Sequence, residues 1–166
     1  MNRKLLAALC LVVVSAGMTL SIAVAYQGKF PGKGSLADWE RASKVYDQGV
    51  DAADEKNYEK AVQLNRSAIS IYPHDADFYV SLGVALSSLN RDKDAEAPLR
   101  KAIELAPTDF GALCQYGSVL VSEGKFELGR KFLERAKRFA NTASEKDTVN
   151  HNLAAIHKIQ LRHSQR

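Results

Sequence analysis

Two side chains in this sequence have the chemistry of a thiol nucleophile and its base, Cys114 and His151. A thiolate beside an imidazole can attack an electrophilic carbon. The helical register developed below places the two residues at equivalent heights on neighbouring helices, but helix axes about 8 to 10 Å apart make that a long reach. No pattern for an oxyanion donor or an orienting carboxylate accompanies them. The sequence therefore predicts that the protein is not an enzyme.

The histidines do not form a metal-binding pattern. His74, His151, His157 and His163 lack the i, i+4 spacing that places two imidazoles on one helix face, and no pair of cysteines is close in sequence. A glycine-rich phosphate loop is also missing. We therefore expect neither a metal nor a cofactor.

The first 25 residues have the pattern of a targeting segment. Arg3 and Lys4 precede an uncharged, apolar run from Leu5 to Ala25, which ends in the small-residue sequence Ala-Val-Ala. This pattern predicts a cleaved signal peptide. The run is also long enough, at about 1.5 Å per residue, to cross the roughly 30 Å hydrocarbon core of a bilayer as an uncleaved anchor. Either alternative exports the rest of the chain.

The small number of cysteines indicates in which cellular compartment the protein is expected. Cys10 lies in the leader, so a cleaved product keeps only Cys114 and forms no internal disulfide. An exported helical protein with so few cysteines fits a bacterial envelope better than a eukaryotic secretory route. We expect a location in the periplasm or cell envelope, either soluble after cleavage near Ala25 or anchored in the inner membrane.

Net charge excludes one class of partner and indicates another. A formal charge of +4 is too small to indicate nucleic-acid binding. The charge is uneven, with 14 acidic and 9 basic residues in 35–109 against 5 acidic and 10 basic in 110–166. A basic patch is predicted at Lys125, Arg130, Lys131, Arg135, Lys137 and Arg138. It is either a solvated helix face or a docking site for an acidic partner or anionic headgroups.

A period of 34 residues organises the chain after a predicted flexible linker at 26–34. Gly49, Gly83 and Gly117 are separated by 34 residues each, although glycine inside a helix costs about 0.5 to 1 kcal/mol relative to alanine. The same period relates other small or helix-breaking residues, namely Ala61 to Ala95, Ala68 to Ala102 and Ala136, and Pro73 to Pro107. Small side chains at facing positions let paired helices approach closely, so the pattern predicts a stack of helix pairs.

The second unit resembles the tetratricopeptide repeat family. Its residues Tyr79, Leu82, Gly83, Leu86, Ala95, Leu99 and Pro107 follow the family pattern W-x2-L-G-x2-Y, A-x3-F and P with conservative exchanges. The third unit departs from it at Gly129 and Asn141, and the first at Gln48 and Asn65.

The resemblance covers about Ala42 to Arg162 and implies an all-α solenoid of three helix-turn-helix repeats with a closing helix. We predict a domain over 35–166, with repeats at about 42–75, 76–109 and 110–143 and the closing helix at about 144–162. Helices are predicted from Leu36 to Asp54, Asn57 to Ile71, Asp75 to Leu89 and Asp92 to Leu105. Asp75, Asp109 and Ser144 are predicted N-caps.

The resemblance also implies a binding groove, because the first helix of each pair lines the concave face in such arrays. Helical spacing then predicts the groove residues Ser43, Tyr46, Val50, Ala53, Asp77, Val80, Val84, Ser87, Gly111, Cys114, Ser118, Val121, Thr148, His151, Ala155 and Lys158. Family members that clamp a terminal carboxylate use lysine, arginine and asparagine there, whereas this chain has Tyr46, Val50, Val84, Gly111 and Gln115. Binding of a chaperone tail is therefore disfavoured.

The sequence predicts a protein-interaction module that acts as an adaptor or assembly factor in the cell envelope. Its groove suits a helix or extended segment of another protein with modest apolar anchors, and Tyr46 is the strongest predicted contact. Alternatively, the partner binds to the convex side of the array or to its loops rather than to the groove. The alternative function is a self-associating structural component that stacks through its repeat ends, with Trp39 and the unusual first repeat as the predicted contact.

Overall fold

The computed structural model describes residues 30–164, and within them the regular structure is entirely helical. The predicted leader at 1–25 and the first part of the predicted linker lie outside the described residues. The helices are α1 (Leu36–Asp54), α2 (Tyr58–Ile71), α3 (Ala76–Ser88), α4 (Asp92–Leu105), α5 (Phe110–Ser122), α6 (Phe126–Phe139) and α7 (Ala143–Ser164). Over the described range, no helix combines the length and apolar character needed to cross a membrane. The four predicted helices agree with α1 to α4 within one residue at each end.

Side-chain caps fix where several helices begin. Asp75 accepts a hydrogen bond from the backbone N–H of Asp77 at 3.0 Å, and Asp109 accepts one from Ala112 at 2.6 Å. Both predicted N-caps are confirmed, because each carboxylate satisfies an N–H that has no partner within the helix.

The predicted cap at Ser144 is wrong. Thr142 accepts from the backbone N–H of Glu145 at 3.1 Å, while the Glu145 carboxylate accepts from the N–H groups of Asn141 and Thr142. This reciprocal arrangement is a capping box. It places the cap of α7 two residues before the predicted one, so that Ser144 lies inside the helix.

The turns that connect the two helices of each pair have the same backbone conformation every 34 residues. Lys56, Asn90 and Gly124, which are 34 residues apart, all adopt positive φ angles of 60°, 58° and 79°. In each turn the next N–H bonds back to a carbonyl five residues earlier, as in Asn57 to Ala52 at 2.8 Å. The three turns are therefore Schellman motifs of one geometry. The sequence pattern did not reveal them, because only one of the three residues is glycine.

Close approach of the two helices in each pair occurs at the periodic glycines. A Cβ added at Gly83 would lie 2.5 Å from Leu99 Cγ, and one at Gly117 would lie 2.8 Å from Leu133 Cγ. At Gly49 the nearest atom would be Asn65 Oδ1, at 3.3 Å. The glycines lie between packed helices, and leucine fills the space that a β-carbon would need in the second and third pairs.

The remaining periodic residues lie at the same interfaces or at the ends of the helices. The alanines Ala61, Ala95, Ala68, Ala102 and Ala136 are all fully buried. Pro73 and Pro107 directly follow the C-caps Tyr72 and Ala106, where a residue without an N–H ends a helix at little cost.

The pairs stack so that their first helices form one layer. The helices α1, α3, α5 and α7 each contact the next member of this series, whereas the second helices, α2, α4 and α6, make hardly any contact with one another. A stack whose first helices lie closer together than its second helices curves towards the first. The first helices therefore form the inner face of the array.

Residues 30–34 differ from the predicted flexible linker. The ring of Phe30 packs on Trp39 with centroids 5.7 Å apart and on Tyr72 at 6.0 Å, and the Tyr72 hydroxyl donates to the carbonyl of Lys33. This segment covers the open end of the first pair. Aromatic burial holds it there, which the glycine and proline content of the linker did not indicate.

The glycine contacts predict unequal effects of alanine. Gly83→Ala places a β-carbon against a buried leucine and should lower the free energy of unfolding by about 1 to 3 kcal/mol. Gly49→Ala meets its nearest neighbour at 3.3 Å and gains helix propensity, so its effect should be clearly smaller. Urea unfolding followed by circular dichroism measures both. Equal losses at the two positions would contradict the packing argument.

The turns predict a stabilising substitution. Lys56→Gly removes the steric cost of the left-handed conformation in the folded state, about 1 to 2 kcal/mol. Glycine also raises the conformational entropy of the unfolded chain, which offsets part of this gain in stability. The net gain should be about 0.5 to 1 kcal/mol. Gly124→Ala, at the equivalent position of the third pair, should destabilise by a similar amount. Urea midpoints at constant m-value test both changes, and a loss of stability in Lys56→Gly would count against this account.

Candidate functional site

The inner face is made of half-buried side chains from the first helices. Tyr46, Val50, Ala53, Val80, Val84, Ser87, Gly111, Ser118 and Ala155 are partly exposed there, while Asp77, Thr148, His151 and Lys158 are exposed and Ser43 and Cys114 are buried. The predicted groove residue Val121 packs on α6 instead, since a Cβ added at Gly129 would lie 2.7 Å from its Cγ2. A Cβ added at Gly111 would lie 4.0 Å from Val80 Cγ1, so the predicted stripes of α3 and α5 are neighbours. The face is mildly apolar and lined by small side chains.

A polar side chain of α7 faces α5. The side-chain amide of Asn152 contacts Cys114 Sγ at 3.8 Å and donates to Ser118 Oγ at 3.0 Å. The neighbouring His151, a predicted groove residue, has an exposed side chain. Successive residues of a helix point about 100° apart, so the asparagine and the histidine point in different directions. Sequence spacing did not single out Asn152, because its contacts depend on how α5 and α7 pack.

Cys114 is not an activated nucleophile. Its side chain is buried, and burial raises the pKa of its thiol, partly offset by the hydrogen bonds from Asn152 and Ser118. An activated cysteine has the opposite environment, since it is partly exposed beside a cation. The thiol is therefore a packing residue of the third pair.

The end of the inner face near the first pair differs in chemistry from the rest. Tyr46 packs on Phe78 with ring centroids 5.0 Å apart. Burial raises the pKa of Tyr46 to about 12, with further contributions from the negative charges of Asp77, Asp75 and Asp47. The predicted anchor residue thus stands among three carboxylates. Sequence spacing placed Asp77 in the groove but gave no sign that Asp47 and Asp75 also act on Tyr46.

Asp75 joins the first and second pairs at this point. Its buried carboxylate accepts from the indole N–H of Trp39 at 2.7 Å and caps α3 through the N–H of Asp77. Trp39 is only 2% exposed. Trp39 therefore cannot be the self-association contact predicted from the sequence, because its ring is already covered by Phe30 and its N–H already bonded.

The predicted basic patch is divided by contacts within the chain. Lys125 lies 2.6 Å from Glu123 and 2.5 Å from Glu96, and these carboxylates raise the pKa of its amine. Arg130 donates to Gln160, and Arg135 donates to the carbonyl of Pro107 at 2.5 Å. The other three members, Lys131, Lys137 and Arg138, are exposed. Half of the predicted patch thus holds neighbouring helices together.

Comparison with known proteins identifies the repeats. A family model for the tetratricopeptide repeat matches residues 76–109. The chain has a tetratricopeptide-repeat fold. The Sgt2 TPR domain from Aspergillus fumigatus has a TM-score of 0.70 at 19% identity, covering 76% of this chain and 83% of that one. The TPR2B domain of yeast Sti1, in a complex with pHsp70, has a TM-score of 0.69 at 20% identity, covering 72% and 98%.

Another protein of similar structure is bacterial and carries a bound peptide. The Yersinia enterocolitica type III secretion chaperone SycD, in complex with a peptide of the translocator YopD, has a TM-score of 0.66 at 16% identity, covering 73% of this chain and 95% of that one. The Protein STIP1 homolog of Dictyostelium discoideum is 30% identical over 95 residues. Those residues are 57% of this chain and 17% of that protein, so the chain spans about a sixth of its relative.

The environment of Cys114 predicts slow alkylation of the tetratricopeptide domain. In the folded protein, the rate of reaction with iodoacetamide should keep rising with pH beyond the ordinary thiol pKa of about 8.5, because burial disfavours the thiolate. Mass spectrometry of the peptide that contains Cys114 measures this rate, and the urea-unfolded chain is the control. An apparent pKa below 8.5 in the folded protein would reopen the enzymatic interpretation.

Proposed function

We propose that the inner face of this tetratricopeptide array binds a segment of another protein, and that the protein acts as an adaptor or assembly factor. The main support is the row of partly exposed valines on the first helices, Val50, Val80 and Val84. Apolar side chains along a concave surface provide anchors for an amphipathic helix or an extended segment. The cysteine that a catalytic function would use, Cys114, is buried, and burial raises the pKa of its thiol.

Proteins of similar structure support binding of a peptide. The first TPR of Spaghetti (RPAP3) is bound to the HSP90 peptide SRMEEVD, and SycD is bound to a peptide of YopD. Their identities to this chain are 17% and 16%, which supports a shared fold and leaves the partner open. The residues of the inner face must therefore define the partner of this protein.

The binding mechanism follows from the rigidity of the stack. Helix pairs locked at close-packed glycines present the inner face already formed. A preformed surface reduces the ordering entropy lost on association, so modest apolar contacts suffice for a specific complex. Most of the conformational entropy lost on binding is then lost by the partner segment.

The proposed place of action is the cell envelope of a bacterium. This part of the proposal depends on the sequence of residues 1–25, whose charged start, apolar run and small-residue end are typical of an export signal or an anchor. In that setting the array would hold a partner segment outside the cytoplasm during assembly.

A charge placed in the groove tests the binding surface. A phage library of random twelve-residue peptides is selected on the full chain and on Val84→Lys. We expect the selected peptides to bind Val84→Lys at least tenfold more weakly, because a lysine on the inner face obstructs apolar anchors. Fluorescence anisotropy with each labelled peptide measures the affinities.

The matched control places the same lysine on the outer layer. Leu128→Lys replaces an apolar residue of α6 that is 42% exposed, and it should leave the affinities unchanged. If the peptides lose affinity for Leu128→Lys and keep it for Val84→Lys, the binding surface is the convex side and the proposal is wrong.

A further inference from the structure

A small cavity opens on the inner face where α1 meets α3. Its volume is about 50 Å³, and its lining includes Ser43, Tyr46, Asp47, Asp75, Asp77 and Phe78. One water needs about 10 to 15 Å³ on this measure, so the cavity has room for a group of about three or four heavy atoms. That is the size of the end of a lysine or arginine side chain.

The charge of the lining is negative. Three of its members are aspartates, and none of the described residues that line the cavity is a lysine or an arginine. Asp75 is buried and fixed by its bonds to Trp39 and to the start of α3, whereas Asp47 and Asp77 are exposed. Burial is the main cause of the raised pKa of Tyr46 on the cavity wall, and the negative charges of Asp77, Asp75 and Asp47 add to it.

A serine hydroxyl adds a hydrogen-bonding group to the acidic lining. Ser43 is 7% exposed and lines the cavity, and no other side chain of the described residues is seen to bond its hydroxyl. Water can satisfy a hydroxyl that lines an open cavity. The Ser43 hydroxyl can therefore accept a hydrogen bond from a donor that enters the cavity and displaces this water.

The aromatic wall completes a site for a cation. The ring of Tyr46 stacks against Phe78 with centroids 5.0 Å apart, so its position is held, and it is partly exposed on the cavity side. Lysine ammonium and arginine guanidinium groups are attracted to the face of an aromatic ring and to carboxylates at the same time.

From this arrangement we infer that the cavity binds a lysine or arginine side chain of the partner segment, with Tyr46, Ser43, Asp47 and Asp77 as its contacts. This inference rests on the proposed function, since it names the chemistry of the anchor that enters the groove. The uneven charge of the chain agrees with it, because residues 35–109 hold 14 acidic and 9 basic side chains.

The cargo that this site selects differs from that of the structurally similar proteins. The Hsp90 and Hsp70 peptides bound by the two RPAP3 domains are SRMEEVD and SGPTIEEVD, which both end in acidic residues around one valine. An acidic tail would be repelled by three aspartates at this end of the groove. A partner segment with a basic residue is instead attracted to this end of the array.

A titration with small cations tests the site directly. Two-dimensional ¹H–¹⁵N NMR spectra of the full chain are recorded with methylguanidinium chloride and with methylurea, its neutral analogue of nearly the same shape. We expect saturable shifts confined to the amides around Ser43, Asp47 and Asp77 with methylguanidinium, and none with methylurea. Sodium chloride at matched ionic strength controls for screening.

Substitution of the aspartates tests whether their charges bind the methylguanidinium ion. The double variant Asp47→Asn, Asp77→Asn should weaken methylguanidinium at least fivefold, while Asp51→Asn, one turn further along α1 and exposed, should leave it unchanged. Equal shifts with methylguanidinium and methylurea, or shifts centred elsewhere, overturn the inference. This comparison uses the unmodified protein, so it holds even if the double variant fails to fold.

The outcome separates the inference from the proposed function. If peptides selected on the groove are lost on Val84→Lys but methylguanidinium does not bind, the groove binds segments without a basic anchor and only the inference fails. If methylguanidinium binds in an aspartate-dependent way but no peptide depends on Val84, the cation site stands and the proposed groove function fails.

Discussion

Close approach of paired helices at one periodic position is the constraint on which the rest of this structure depends. At Gly83 and Gly117 the partner helix comes so near that a single carbon atom would collide with the leucine opposite. Missing β-carbons allow buried alanines and leucines of both helices to interlock, and their burial offsets the lower helix propensity of glycine. Each pair is then a unit of fixed geometry, and a stack of such units has a fixed curvature.

The turns carry the same period as the interfaces. Lys56, Asn90 and Gly124 take one left-handed conformation, and the Schellman bonds around them return the chain at the same angle each time. With interface and turn both repeated, the first helices fall into one layer and their side chains form a continuous inner face. The proposed binding surface is thus a consequence of local geometry repeated along the chain.

The first pair departs from this repetition, and the distinctive chemistry lies there. Asn65 takes the place that Leu99 and Leu133 hold in the later pairs, and its amide donates to Ser81 across to the second pair at 3.0 Å. Polar contacts here replace some apolar packing, and Asp75 bonds Trp39 in the same region. The acidic cavity beside Tyr46 lies at this junction. A partner would therefore meet an apolar groove with one charged end.

The sequence by itself determined the all-α architecture, the helix positions and the role of the glycines, because these follow from periodic side-chain size and from local propensity. It did not determine the turn geometry at Lys56, the packing of Phe30 or the contact of Asn152 with α5. Only the tertiary structure decided which carboxylates surround Tyr46 and which hydroxyl lines the cavity beside them. Those relations join residues of different helices, and their distances depend on how whole helices pack, which no local pattern encodes.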